Sequence, residues 1–589
     1  MTPQQENPQQ QRNLVLFLLV ALGLSFVWSN FVSPPPAPGE ADAGVQVAAD
    51  ADAGTKGADG TAGTNGAALS AAPSAPQADA PVEVPERSLE LFRPEVVYTF
   101  TSNGGGLSSA VLTGEKMREQ KKVGFAEGWK RWFGAERTPA PQMNVAMPPA
   151  GGPVPLAVGI EGATPLPHST RYLLEEIEGG NGVVMRANEA GWKVEKRVRY
   201  EPDGFEFSYE VTVTNTSDAA RKGDVAFAWA RQIDPEFEEA PSMLGGVGNQ
   251  SRASCHVDGD QEILLPGQED APVSFTGPVR YFGIDQQYFT SQLFFFEGAR
   301  QGTCELESTT TLRRVKASFP VELGPGASQT FKLGGFAGPK DTDLLEVAPS
   351  ASTAALVGLD AKQAPRAGLD GLVDFGFLVV ICKVLLAVLK ASYSVLGNWG
   401  LAIIALTFFV KMALLPLTYK QLVSAEEMKK LQPKMKEIQA KYANDKEKQQ
   451  LETLKLYQEA KMNPLSGCLP MLLQMPVFFA LFTTLRNSFD IYGEPFFGPV
   501  WTDLTFKDPT YVLPVLLGVT MIVTQRLQPQ MMDAAQARLM NWIMPIMFTG
   551  FMLGYPAGLS LYFFTNNVMS IAQTYGIRKW LEHKKAKAA

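Results

Sequence analysis

Asn398-Trp-Gly-Leu-Ala-Ile-Ile-Ala-Leu-Thr-Phe-Phe-Val-Lys411-Met-Ala-Leu-Leu-Pro-Leu-Thr418 is an apolar run of membrane length with one ammonium group inside it. Carrying a lysine to bilayer depth costs about 2.5–3.5 kcal/mol on insertion scales. Such a residue faces a water-filled cavity or a partner, which makes Lys411 a candidate functional site. At about 100° per residue, Gly400, Thr407, Lys411 and Thr418 fall within roughly 20° of one line down the helix. One face is therefore small and polar, whereas Ile403, Ile404, Phe408, Phe409 and Leu415 mostly look elsewhere. Lys411 stands about seven residues, roughly 10 Å, from the Thr418 end, far for a side chain reaching the interface.

Working outward, the C-terminal third reads as a polytopic membrane unit. Within 369–396, Phe375 to Leu396 is apolar but carries Lys383 and Lys390 on one helical face, the pattern of an amphipathic helix lying in the interface. Spans are expected at 397–420, 466–486, 510–527, 539–555 and 557–576. A further apolar run, Leu14 to Val32, ends in a poor cleavage site and reads as an uncleaved signal anchor within 1–33. The total is six spanning helices. Loop charges set their orientation: Lys420 to Lys461 contains ten lysines, and the tail at 577–589 is basic. The 487–509 loop sets only Lys507 against Asp490, Glu494, Asp503 and Asp508. The excess of lysine and arginine places the first two and both termini in the cytoplasm, and the third outside.

The long cytoplasmic segment, 421–465, carries Met428, Leu431, Met435, Ile438 and Tyr442 at 3-4-3-4 spacing, an apolar seam for a partner helix. Leu451, Leu454 and Tyr457 offer a returning stripe, which predicts an antiparallel hairpin with lysine-rich outer faces. Lys429, Lys430, Lys434, Lys436 and Lys441, with Arg578 and Lys579 of the tail, are candidates for docking an acidic or RNA-bearing partner. Contact with anionic lipid of the phospholipid bilayer explains them equally well. Other spans carry polar groups too: Gln474, Thr520, Thr524 and Gln525, and, within about 40° of one another on the last helix, Tyr562, Asn566 and Gln573. Each alone suits a helix–helix hydrogen bond. Together with Lys411 they outline a wet, positively charged groove.

The rest of the chain is soluble in character. Residues 34–86 are dominated by Ala, Gly, Pro and Asp, too apolar-poor to fold, and read as a flexible tether. From 87 to 350 the pattern has period two, as in Trp192-Lys-Val-Glu-Lys-Arg-Val-Arg-Tyr200 and Phe205-Glu-Phe-Ser-Tyr-Glu-Val-Thr-Val213. Half-buried antiparallel strands with Gly- and Pro-rich turns predict a β-sandwich, which the orientation rule places in the periplasm. Its two histidines, His168 and His256, have no ligand-like spacing, and its acidic residues mostly take outward positions, so no active site is expected. The net charge of −8 gives no global basic field for nucleic acid. Four scattered cysteines make no metal motif: Cys382 and Cys468 read as small core residues, and Cys255 and Cys304 pair only if their domain is extracytoplasmic, which spacing alone leaves open.

The chain resembles the YidC/Oxa/Alb family of membrane protein insertases, in the Gram-negative form with a large periplasmic domain. The resemblance is carried by Gly397-Asn-Trp-Gly400, Lys411 ahead of Pro416-Leu-Thr418, Leu431-Gln-Pro-Lys434 and Asn463-Pro-Leu-Ser-Gly-Cys-Leu-Pro470. It continues through Gln474-Met-Pro476, Leu513-Pro514, Phe551 to Leu559, Leu561-Tyr562 and Asn566-Asn567, in order over about 200 residues. It implies a five-helix core enclosing a hydrophilic groove, a periplasmic β-supersandwich, and no enzymatic chemistry or cofactor. The family's central basic residue, usually arginine, falls on Lys411, its neighbouring polar position on Thr407, and its tyrosine on Tyr562. Phe563 replaces a second aromatic hydroxyl frequent in relatives.

The partners implied are nascent membrane proteins, the Sec translocon (SecYEG, SecDF), and the ribosome with the signal-recognition machinery. The location implied is the bacterial inner membrane. No Gly-x-x-x-x-Gly-Lys-Ser/Thr sequence is present, so energy must come from partitioning, the membrane potential or a partner. A secondary transporter using Lys411 as a proton or anion site is the alternative, and it predicts inverted repeats, which the spans do not show.

Overall fold

The computed structural model describes residues 85–588 apart from 120–124, 134–139, 202, 235–236, 239–249, 270, 361–363, 443–444, 461–468, 498–500 and 528–538. The expected anchor and the tether up to residue 84 lie outside the described residues.

Period-two alternation becomes sixteen strands among the described residues between Ser88 and Pro339. The first three, β1 (Ser88–Phe92), β2 (Val96–Thr101) and β3 (Gly106–Leu112), form a small antiparallel sheet. A thirteen-stranded sheet follows. Its path begins β4 (Ala157–Gly162), β9 (Arg221–Gln232), β15 (Leu312–Leu323), β14 (Arg300–Ser308), β12 (Val273–Asp285). It goes on through β13 (Phe289–Phe295), β16 (Ser328–Pro339), β8 (Glu206–Asn215), β7 (Trp192–Tyr200), β6 (Gly182–Glu189) and β5 (Leu173–Glu176). Off this path, β10 (Arg252–Val257) pairs with β11 (Asp260–Leu264) and with β12. The long β12 joins two halves: Val273–Val279 pairs with β14 and Tyr281–Asp285 with β13. The halves meet through Phe227 of β9, whose ring lies 6.2 Å from Tyr209 of β8 and 5.4 Å from Phe331 of β16.

Parity along β7 is instructive. Trp192, Val194, Val198 and Tyr200 are buried, and so is Lys196, on the same inward face. Its ammonium donates to Gly104 O (2.7 Å), Gly105 O (2.6 Å) and Leu156 O (3.2 Å), and sits 4.0 Å over the Tyr172 ring. One lysine thus ties the turn between β2 and β3 to the large sheet. Burial holds it well below the usual lysine range. Cys255 of β10 and Cys304 of β14 form a disulfide, with Cα atoms 6.7 Å apart, a bond that persists in oxidising compartments.

A short helix, α1 (Phe125–Trp132), interrupts the β region and was not anticipated. After two small helices, α2 (Thr342–Val347) and α3 (Ala351–Leu356), the helical part begins. It comprises α4 (Val379–Leu396), α5 (Trp399–Ala413), α6 (Leu415–Lys441), α7 (Lys446–Glu459) and α8 (Leu469–Asn487). α9 (Val512–Leu527), α10 (Met544–Met552, led by a π turn from Leu539) and α11 (Ala557–Ala588) complete it. Among the described residues, α4 alone is long and apolar enough to cross a membrane, or two segments if α5 and the start of α6 count as one bent span.

Three features differ from expectation. α5 and α6 diverge by 59° at Leu414, because Pro416 has no N–H to continue the ladder. Thr418 therefore belongs to a new axis, and the polar line runs only from Gly400 to Lys411. The basic tail is no separate segment: α11 continues unbroken to Ala588. In the hairpin of α6 and α7, Tyr457 reaches Met435 Sδ at 3.4 Å and Gln449 donates to Gln439 O at 3.2 Å. Leu456 is the buried residue of α7, while Leu451 and Leu454 face solvent.

The β domain and the helical part share packing. Phe489 and Tyr492, in the loop after α8, join the β core; Tyr492 lies 4.6 Å from Tyr288 and 5.2 Å from Phe289. Gln287 donates to Arg486 O at 3.0 Å, and Lys116 pairs with Glu494. Lys390 of α4 pairs with Asp343 (3.0 Å) and Asp490 (3.4 Å).

Candidate functional site

The site is assembled on α5. Asn398 caps its N-terminus, accepting from Leu401 N at 3.0 Å and donating to Phe496 O at 3.2 Å, which fixes the helix against the 487–509 loop. Two residues on, Gly400 allows that loop to approach: a Cβ there would run into the Phe496 ring. Further along the same face Thr407 is buried, its hydroxyl donating to Ile403 O at 2.7 Å. Lys411 follows, 8% exposed, while Phe408, Phe409 and Met412 are exposed on the other side. Trp399, Ala402, Ile403 and Leu406 are buried beside this polar line, so the helix packs one face and leaves an apolar surface exposed on the other.

The partner of Lys411 is Ser570. Lys411 Nζ donates to Ser570 Oγ at 2.7 Å, and that hydroxyl donates to Asn566 O at 2.8 Å. Gln573 Nε2 reaches Lys411 O at 3.4 Å, and Gln573 Oε1 is buried without a hydrogen-bond partner among the described residues. No carboxylate among the described residues pairs with Lys411. Asn566, Ser570 and Gln573 form an i, i+4, i+7 stripe on α11, with the buried Tyr562 one turn before Asn566. Ser570 is the residue that the sequence reading passed over, although its place four residues after Asn566 was the available signal.

Of the expected groove residues, Lys411 meets α11 directly, at Ser570 and Gln573, whereas Thr407 and Tyr562 are buried on α5 and α11 with no hydrogen bond between them among the described residues, and Asn566 enters through its backbone carbonyl. Gln525 is half-buried on α9. Gln474 lies on α8, with its side chain outside the described residues. Of the basic docking candidates, Lys429, Lys430, Lys434, Lys436, Lys441 and Lys579 are exposed. Arg578 differs: it donates to Leu527 O at 2.6 Å and pairs with Glu426 at 2.9 Å. The reason is the continuation of α11, which turns position 578 toward α6 and the end of α9. It is a clamp between helices rather than a free cation.

Known proteins match over most of the chain. A family described as the 60Kd inner membrane protein matches residues 391–585, and one described as the YidC periplasmic domain matches 158–388. A membrane protein insertase YidC from an Anaeromyxobacter species is 34% identical, over 84% of this chain and 85% of that one. Another, from Oleidesulfovibrio alaskensis, is 31% identical over 97% of this chain and 99% of its own length. The crystal structure of an active YidC insertase with its first transmembrane domain resolved is similar at 19% identity, with a TM-score of 0.37, covering 84% of this chain and 93% of that one. With its β-rich periplasmic domain and helical C-terminal part, the chain belongs to the YidC family of inner-membrane protein insertases.

Proposed function

We propose that this chain inserts nascent membrane proteins, and helps them fold, through a polar groove built around Lys411. The observation that carries the reading is the pairing of that lysine. A buried ammonium whose described partner is a serine hydroxyl, beside an unpaired amide oxygen, keeps its charge available to an incoming carboxylate. A short acidic extracytoplasmic tail would be drawn to Lys411 part-way across the bilayer, with Thr407, Gln474, Gln525, Tyr562 and Asn566 lining its path. The substrate's apolar helix then leaves into lipid past the exposed Phe408 and Phe409, driven by burial of its surface.

In this reading the chain has six spanning helices including the anchor, with five helices (those containing α5, α8, α9, α10 and α11) as the core. Both termini are cytoplasmic. α4 lies along the extracytoplasmic interface; its apolarity would also allow a span, but the pairing of Lys390 with Asp343 and Asp490 supports the interfacial position. The exposed lysines of α6, with Lys579, dock the ribosome and signal-recognition machinery, and the chain works alone or with SecYEG and SecDF.

The test is depletion of the protein, followed by insertion of single-span substrates with acidic or neutral tails in cells carrying Lys411→Arg, Lys411→Ala or Lys411→Glu. Arg is expected to support insertion, Glu to fail, and Ala to be impaired for acidic tails. Normal insertion by both Ala and Glu would overturn the groove charge.

A further inference from the structure

α1 has no part in the groove, and its sequence is unusual for a strand-to-strand connection. Phe125, Trp129, Trp132 and Phe133 recur at i, i+4, i+7 and i+8, one aromatic edge on a two-turn helix. The opposite side is fixed. Gly128 seats against Pro509, where a Cβ would meet Pro509 O at 2.7 Å, and Arg131 is buried and paired with Glu127 at 2.5 Å. Phe125 stacks on Tyr511 at 5.5 Å and 13°, and Trp132 meets Trp501 edge-on at 6.1 Å. Tyr511 immediately precedes α9, so α1 is held at the depth where α9 starts.

Much of that aromatic edge remains uncovered. Phe133 is 81% exposed, Phe125 53% and Phe497, in the adjoining loop, 63%. The flanking sequence is basic in a chain of net charge −8: Glu115 to Arg137 has seven Lys and Arg against four Glu. Aromatic rings beside cations at the end of an apolar helix are the composition that settles at the boundary between headgroups and acyl chains.

We propose that α1 is a membrane-surface anchor. Its Phe133 and Trp132 edge, with Phe497, sits in the extracytoplasmic leaflet beside the start of α9 and holds the β domain against the bilayer. The occupant is lipid, with anionic headgroups matching the exposed Lys130. The inference rests on α9 being a span.

The experiment uses the full chain in proteoliposomes, with Cys382→Ala and Cys468→Ala and a nitrobenzoxadiazole fluorophore on Phe133→Cys or, as control, on exposed Asp218→Cys. At 133 the fluorophore is expected to be quenched by spin-labelled lipid and shielded from aqueous iodide about threefold more than at 218. Shielding should weaken when the anionic lipid is replaced by phosphatidylcholine, and on Phe497→Asp. Equal iodide access at both positions overturns the anchor. Shielding absent from pure lipid, yet restored by a membrane extract, assigns the edge to a protein and also overturns it. Insertion of a single-span substrate by the same vesicles is followed in parallel. Normal insertion with position 133 open to iodide refutes the anchor alone, whereas shielding without insertion refutes the groove reading alone.

Discussion

Lys196→Met removes an ammonium from the β core while keeping most of its volume. Gly104 O and Gly105 O lose their donors at 2.7 and 2.6 Å, whereas Leu156 O keeps the Tyr209 hydroxyl at 2.7 Å. Two orphaned buried acceptors cost about 1–3 kcal/mol each, and the lost contact with the Tyr172 ring about 1–2 kcal/mol. Against this, the desolvation cost expressed in the lowered Lys196 pKa disappears. The expected balance is a loss of about 2–4 kcal/mol, with the turn between β2 and β3 loosening first.

Pulse proteolysis of the full chain in urea, following the β-domain fragment, reads this as a midpoint lower by about 1 M. The pH dependence has a definite sign. The folded pKa lies below the unfolded one, so between the two the unfolded chain binds more protons, and wild-type stability from this group rises with pH until about 10.4. Lys196→Met lacks that slope, so the gap between the two proteins should widen toward alkaline pH. A variant as stable as wild type, or a gap that narrows, would refute the tie.

Reducing the Cys255–Cys304 bond, which closes a separation of 49 residues, should cost the β domain about 4 kcal/mol in the chain-entropy account, seen as a lower urea midpoint with dithiothreitol. Gly400→Leu should drive the Phe496 ring away and lower both insertion and the thermal midpoint of the helical part, with partial recovery on adding Phe496→Ala. In the hairpin, Leu456→Asp should destabilise the pairing of α6 and α7 by about 2–3 kcal/mol while Leu454→Asp changes little, as read by hydrogen exchange of both helices; equal effects would mean the register is different.

Legibility differed by element for physical reasons. Lys411 stood out because the energetic penalty of a charge in an apolar run is visible in one dimension. Ser570 did not, because a serine gains meaning only once α11 is known to face α5. Lys196 had a signal that went unread: parity placed it with Trp192 and Val198, but lysine on a strand is ordinarily an outward residue. The aromatic spacing of α1 was equally present, obscured by strands on both sides. Leu451 and Leu454 misled because a helical stripe gives a face but not its facing partner, and only the α6 and α7 register selects Leu456. The disulfide needed the third dimension, since the two cysteines lie on different neighbours of β12.

The continuity of α11 has a mechanical consequence. Its 32 residues extend about 48 Å; in the proposed topology, where it crosses a hydrocarbon core of about 30 Å, roughly 18 Å of rigid rod would stand clear of it. Arg578, bound to Leu527 O and Glu426, acts as a fulcrum two turns beyond the Ser570 hydroxyl. In that topology a load on the projecting end would reach the Lys411 hydrogen bond as a displacement of its Ser570 acceptor. If the C-terminal end faces the cytoplasm, as proposed, the rod makes that surface and the buried ammonium two ends of one lever.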